Sequence, residues 1–272
     1  MNILIALGVA ASALCILWAV QSIALKLVGE PLAWPLRFTT RKPLVRWTGR
    51  VMVQVSWLII LVGTPLALGI HPLDALHQAF PMPAPWRDIA VAFAIIFFPS
   101  WIGYALMIKA GWVRIEPQHD RATRHSKLFR RFLGPLPLAT LEEAVFRGVL
   151  LEQLLRSFPR SYTYTALAII LSSAVFSSVH FIKRHPGKPI WQPAYGLFIS
   201  GCLFGLAYVI GERSLWLPIV MHAAAIFVVE VMKLYAVHQV PPWLLAYPEW
   251  PYSGLVGSIY VLCAGIALVA LI

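Results

Sequence analysis

Eight apolar runs, separated by short loops rich in proline and basic residues, leave this chain few ways to fold. They cover approximately residues 2–25, 50–70, 88–110, 138–156, 164–181, 194–211, 214–233 and 253–272. A hydrocarbon core about 30 Å thick takes about 20 apolar residues per helical crossing. A segment surrounded by lipid must satisfy its own backbone, so such runs fold as helices. The predicted class is therefore all-α: a polytopic membrane helix bundle of about eight transmembrane helices, with residues 1–272 as a single integral membrane domain. Hydrophobic residues make up 60% of the 272 and charged residues only 12%. Soluble domains carry about 25% charge, which excludes a globular enzyme on one anchor. The first run lacks a basic stretch before it and reads as a span, not a cleaved signal. Cys15, Cys202 and Cys263 fall in apolar runs without CxxC spacing, so neither a disulfide nor a cysteine metal site is expected.

The net charge of +11 would suit nucleic acid, but its distribution argues otherwise. Seventeen Lys and Arg residues fall in the loops after runs one, three, five and seven or at their edges, and four on the opposite side; Arg147, inside a run, completes the 22. Cytoplasmic loops carry such an excess, which puts both termini outside and calls for anionic lipid at the basic loops, not nucleic acid. The basic stretch from Arg121 to Phe132 is interleaved with Leu128 and Phe129. It reads either as an amphipathic helix along the interface or as a solvated loop.

Within the fourth run stands Glu142-Glu143-Ala-Val-Phe-Arg147. A charge at the centre of a membrane helix costs about 3 kcal/mol on insertion scales, so an intramembrane acidic pair points to function. Glu143 and Arg147, four apart, share a helix face and can pair. Glu142, about 100° round the helix, then faces elsewhere and is available as a general base. Alternatively, the pair only fastens helices. His180 closes the fifth run and His222 lies near the middle of the seventh, both in the cytoplasmic half with the carboxylates. Ser173, Ser177 and His180 share one face. Gly196, Ser200, Gly201 and Gly205 on the sixth run suit close helix packing. Glu230 either adds polarity beside His222 or pairs with Lys233.

Glu-Glu-x-x-x-Arg, then Phe176-x-x-x-His180, then His222 after Gly211-Glu-Arg-Ser-Leu-Trp-Leu-Pro, resemble the ordered motifs of the CPBP intramembrane proteases. These are the CAAX prenyl endopeptidases and the bacteriocin-processing or immunity-associated enzymes. The resemblance covers about residues 135–235, the motif-bearing core. It implies a cavity open to the cytosolic leaflet and hydrolysis of a peptide bond in a membrane-associated peptide or protein substrate. By it, Glu142 is the base, His180 its partner on the water, Glu143 and Arg147 the supporting pair, and His222 the oxyanion stabiliser. One departure stands out: the family's Asn or Asp four residues after the last His is Ile226 here, and the chain's one asparagine is Asn2.

Three functional readings follow. The first is an endopeptidase with no cofactor. The second is a zinc enzyme whose ligands are Glu142 or Glu143 with His180 and His222. The third is a CPBP-like immunity or binding protein that kept only the scaffold. Compact length without soluble extensions favours a bacterial inner membrane, with the site toward the cytoplasmic leaflet. The topology is open to test: alkaline phosphatase fused after Arg160 should be active and after Arg114 inactive, and the reverse pattern would invert the orientation.

Overall fold

A computed structural model of the chain describes residues 2–30, 42–117, 120–180, 191–246 and 251–272. The long helices are α1 (Asn2–Leu27), α2 (Pro43–Ala67), α4 (Trp86–Lys109), α8 (Tyr162–Val179), α9 (Trp191–Ile210), α10 (Trp216–Tyr235) and α12 (Leu255–Leu271). Shorter ones are α3 (Pro72–Ala79), α5 (Arg121–Leu133), α6 (Pro135–Glu143), α7 (Glu152–Ser157) and α11 (Pro242–Leu245). A π-helical stretch, Ala144–Leu151, joins α6 to α7, and its flanking residues keep right-handed helical dihedrals. Among the described residues, six helices are long and apolar enough to cross a membrane. Of the other two expected crossings, the fourth is the run from α6 through α7 and the eighth is α12, which has 17 residues.

A helix start and a pair of strands differ from the sequence reading. The second helix starts at Pro43, not 50, because proline at the first helical position needs no N–H partner and brings a suitable φ. Arg46 and Arg50 therefore ride on the helix, as long cations do when they reach for the interface. The stretch from Arg121 is a helix, the first of its two expected readings. In a chain expected to be all-α, β1 (Val113–Ile115) pairs antiparallel with β2 (Ala236–His238). This ribbon ties the end of α4 to the end of α10.

The principal apolar core lies between α4, α9, α10 and α12, with Ala92, Ile96, Phe204, Ala207, Leu217, Met221 and Leu268 buried. Lipid cannot drive such packing by hydrophobicity, so close approach and interhelical hydrogen bonds replace it. On α1 and α2, Gln21 Nε2 donates to Val45 O at 3.1 Å and Ser56 Oγ to Ala13 O at 3.3 Å. Between α8 and α9 the glycines matter. A Cβ on Gly201 would stand 3.0 Å from Ser173 Cβ, and one on Gly205 3.0 Å from Ile169 Cγ2. The entry to α10 is fixed as well. Leu215 N donates to Ala79 O at 2.9 Å, Trp216 Nε1 to Pro81 O at 3.2 Å, and the Phe80 and Trp216 rings meet edge to face. These contacts set how deep His222 sits.

Overpacking a close contact typically costs about 1–3 kcal/mol. Gly205→Val should lower stability by about that much, whereas Gly8→Ala, with open space around its Cα, should be near neutral. Unfolding titrations in detergent measure both.

Candidate active site

Glu142 and Glu143 end α6, where the hydrogen-bond pattern widens into the π-helical stretch. Such bulges occur often at functional sites. Glu143 is fully buried and Arg147 is 1% exposed. Arg147 Nη1 donates to Glu143 Oε1 at 3.0 Å, and Nη2 donates to the Gly201 carbonyl of α9 at 2.8 Å. The guanidinium carbon also lies 4.8 Å from the Phe176 ring centre and 5.6 Å from that of Phe204. Arg147 is thus held by one carboxylate, one carbonyl and two aromatic faces, the set that suits a planar cation out of water.

The same Glu143 oxygen meets Nδ1 of His222 at 2.7 Å. Because Oε1 already accepts from Arg147, it is an acceptor toward the ring too, and His222 donates from Nδ1–H. That hydrogen bond fixes which nitrogen carries the proton. Nε2 points at Glu142, with Oε2 at 3.8 Å. Phe204 stacks on the imidazole, ring centres 4.7 Å apart and planes 23° from parallel. The His222 side chain is 10% exposed and that of Glu142 13%, so this edge of the cluster is shielded without being sealed.

Glu142, expected about 100° round the helix from Glu143, shares a ring with it: the two neighbouring carboxylates reach opposite edges of one imidazole, Glu143 at Nδ1 and Glu142 at Nε2. A ring with two separated nitrogens spans the angular gap that one helix turn leaves between adjacent residues. His180 caps the end of α8. Its Nδ1 lies 2.7 Å from the Phe176 carbonyl and its ring makes edge contact with Phe176 at 4.8 Å. Phe176 also meets His222 at 6.0 Å and Phe146 at 5.0 Å. One buried ring therefore touches both histidines and the arginine. Ser173 and Ser177 are buried on the same helix, and Ser177 Oγ donates to Ala194 O of α9 at 2.7 Å. Glu230 pairs with Lys233, as one of its two expectations had it, and also with Arg131 of α5 at 3.1 Å.

Phe204 and the Gly201 carbonyl were not visible in the sequence. Phe204 is one apolar residue among many on α9, and a carbonyl has no sequence signature. Zinc chemistry would need a third donor beside Glu142 and His222. Among the described residues, no group of three or more His, Cys, Asp or Glu side chains is placed to hold a metal ion.

Residues 126–228 match the model of a family described as Rce1-like, type II CAAX prenyl endopeptidase. That stretch contains all three motifs whose order resembles the CPBP proteases. No curated protein matches the chain, and no solved structure does.

Breaking a buried ion pair from one side strands the other charge and costs about 3–5 kcal/mol. Arg147→Met should therefore destabilise strongly, and Glu143→Gln with Arg147→Met much less than Arg147→Met alone. Thermal unfolding of the three proteins in one detergent tests the order.

Proposed function

We propose that the chain is an intramembrane endopeptidase that hydrolyses a peptide bond of a membrane-associated substrate with water activated by Glu142. The observation that carries this reading is the approach of Glu142 Oε2 to His222 Nε2. With Nδ1–H committed to Glu143, neutral His222 presents a lone pair at Nε2. Ionised Glu142 presents another at Oε2. Two acceptors 3.8 Å apart call for a proton-bearing group shared between them. A water meets that demand by donating to both, which leaves its own lone pairs turned outward.

Attack on a carbonyl carbon follows. As the water oxygen bonds to carbon, Glu142 takes its proton and later returns it to the leaving nitrogen, when the carbon–nitrogen bond breaks. General acid–base transfer of this kind contributes about 10²–10⁴ in rate. The family resemblance assigns His180 to the water and His222 to the oxyanion. The 3.8 Å approach gives His222 a share in orienting the water as well. Ile226 offers the developing oxyanion no donor one turn beyond His222, where the resembled family has an Asn or Asp. Removal of one oxyanion donor typically slows catalysis about 10²–10³-fold, so the proposed enzyme is a slow one.

The family description supports a CAAX-type endopeptidase. Whether the substrate carries a prenyl group is a separate question, addressed by what the protein holds on to. Glu142→Gln should abolish turnover, with at least a 10²-fold loss, and should retain peptide through purification; mass spectrometry of the released material identifies the substrate. Ile226→Asn should raise kcat by about 10-fold or more. A Glu142→Gln protein that performs its biological role undiminished would leave the scaffold reading instead.

A further inference from the structure

Among the side chains of α5 that the structure describes, the exposed ones form a stripe: Ala122, His125, Ser126, Phe129, Phe132 and Leu133, continued by Leu136 on α6. Its composition changes along its length. The first three positions are small or polar, and the rest are large and apolar. Phe129 and Phe132 are 67% and 66% exposed. The opposite side of α5 is fastened to α10. Arg131 reaches the Glu230 carboxylate at 3.1 Å and also its backbone carbonyl, and Arg124 lies over the Tyr235 ring at 5.8 Å.

Ring contacts give the depth. Phe132 meets Phe227 edge to face at 5.8 Å, and Phe227 stacks on Phe97 at 6.3 Å. Phe97 stands at the middle of α4, a helix long and apolar enough to span the bilayer. Phe132 is therefore two ring contacts from the middle of that helix. At the other end Asp120 is fully exposed, accepting from Thr123 Oγ at 2.6 Å and Thr123 N at 2.9 Å. Those hydrogen bonds hold its carboxyl below the usual carboxylate range. A charged cap of this kind belongs in water.

We propose that α5 enters the membrane, with Phe129, Phe132 and Leu133 seated among acyl chains and the boundary with the headgroup layer passing between Ser126 and Phe129. The partner is the lipid bilayer, argued from the unbroken continuation of the stripe into Leu136 on the following span. The site's two principal helices are then steadied from one element. α5 leads through Gly134 into α6, which bears Glu142 and Glu143, and it grips α10, which bears His222, through Arg131.

Spin labelling tests this without any peptidase assay. Cys15→Ala, Cys202→Ala and Cys263→Ala give a background for single nitroxides at Ala122→Cys, Ser126→Cys, Phe129→Cys, Phe132→Cys and Leu133→Cys. The proteins are placed in nanodiscs of phosphatidylcholine and phosphatidylglycerol. Collision with molecular oxygen should dominate at 129, 132 and 133, and collision with a water-soluble nickel chelate at 122 and 126. Nickel access at 129 and 133 equal to that at 122 would overturn the proposal. So would labels at those positions shielded from both reagents, which would put a protein partner or a second copy on the stripe. Leu133→Cys keeps the reading available should Phe132→Cys fail to fold.

Discussion

A carboxylate with no exposure to solvent, Glu143, sets the terms for everything around it. Removing an ion from water costs several kcal/mol even after the surroundings relax, and only a well-placed cation with further hydrogen bonds offsets that. Arg147 supplies the charge from the next turn. Arg147 in turn needs the Gly201 carbonyl of α9, the Phe176 face of α8 and the Phe204 face of α9. His222 of α10 completes the set on the far side of Glu143. Four separate stretches of chain thus converge because one charge must be solvated by protein. The glycines that let α8 and α9 approach are part of the same requirement, since a side chain at Gly201 would push Ser173 away and displace the carbonyl that Arg147 uses.

Much of this was legible from residue order, and the reasons are physical. Apolar run length reports helix crossings because lipid leaves the backbone no alternative, and the i, i+4 relation reports the Glu143–Arg147 pair because helix geometry places them side by side. What escaped depends on distance in space, not in sequence. Phe204 stacks on His222 across two helices, and nothing in the α9 sequence separates it from Phe198. That Glu142 and Glu143 meet the same imidazole escaped as well, because a helical wheel places a residue on its own helix and says nothing about the width of the group it meets. The start of α2 was misplaced because hydropathy averages across Arg46 and Arg50, while the proline that begins the helix sits ahead of them. The β1–β2 ribbon, three residues a side, is too short for any alternation to register.

A second buried acid lies toward the other end of the same span. Glu152 accepts from Arg156 at 2.6 Å and Arg213 at 3.2 Å through one oxygen, and from Tyr208 at 3.0 Å through the other. It anchors the turn before α10, where Glu212 and Arg213 both adopt positive φ. The strain of that left-handed turn, about 1–3 kcal/mol per residue, is held by the contacts that seat Arg213. One span therefore carries two ion clusters, one against the middle of α9 and the body of α10, the other against the end of α9 and the turn that leads into α10.

Between these clusters lies Ala144–Leu151, where each turn takes up one residue more than an α-helix does. The phase between Glu143 and Glu152 is consequently set by how many residues the widened turns hold, and hardly by which ones. Substitutions there other than at Arg147 leave that phase in place, but loss of a single residue would rewind the segment and swing one anchor away from its partners while the other stayed in place. The span thus behaves as a ruler whose gauge is residue count.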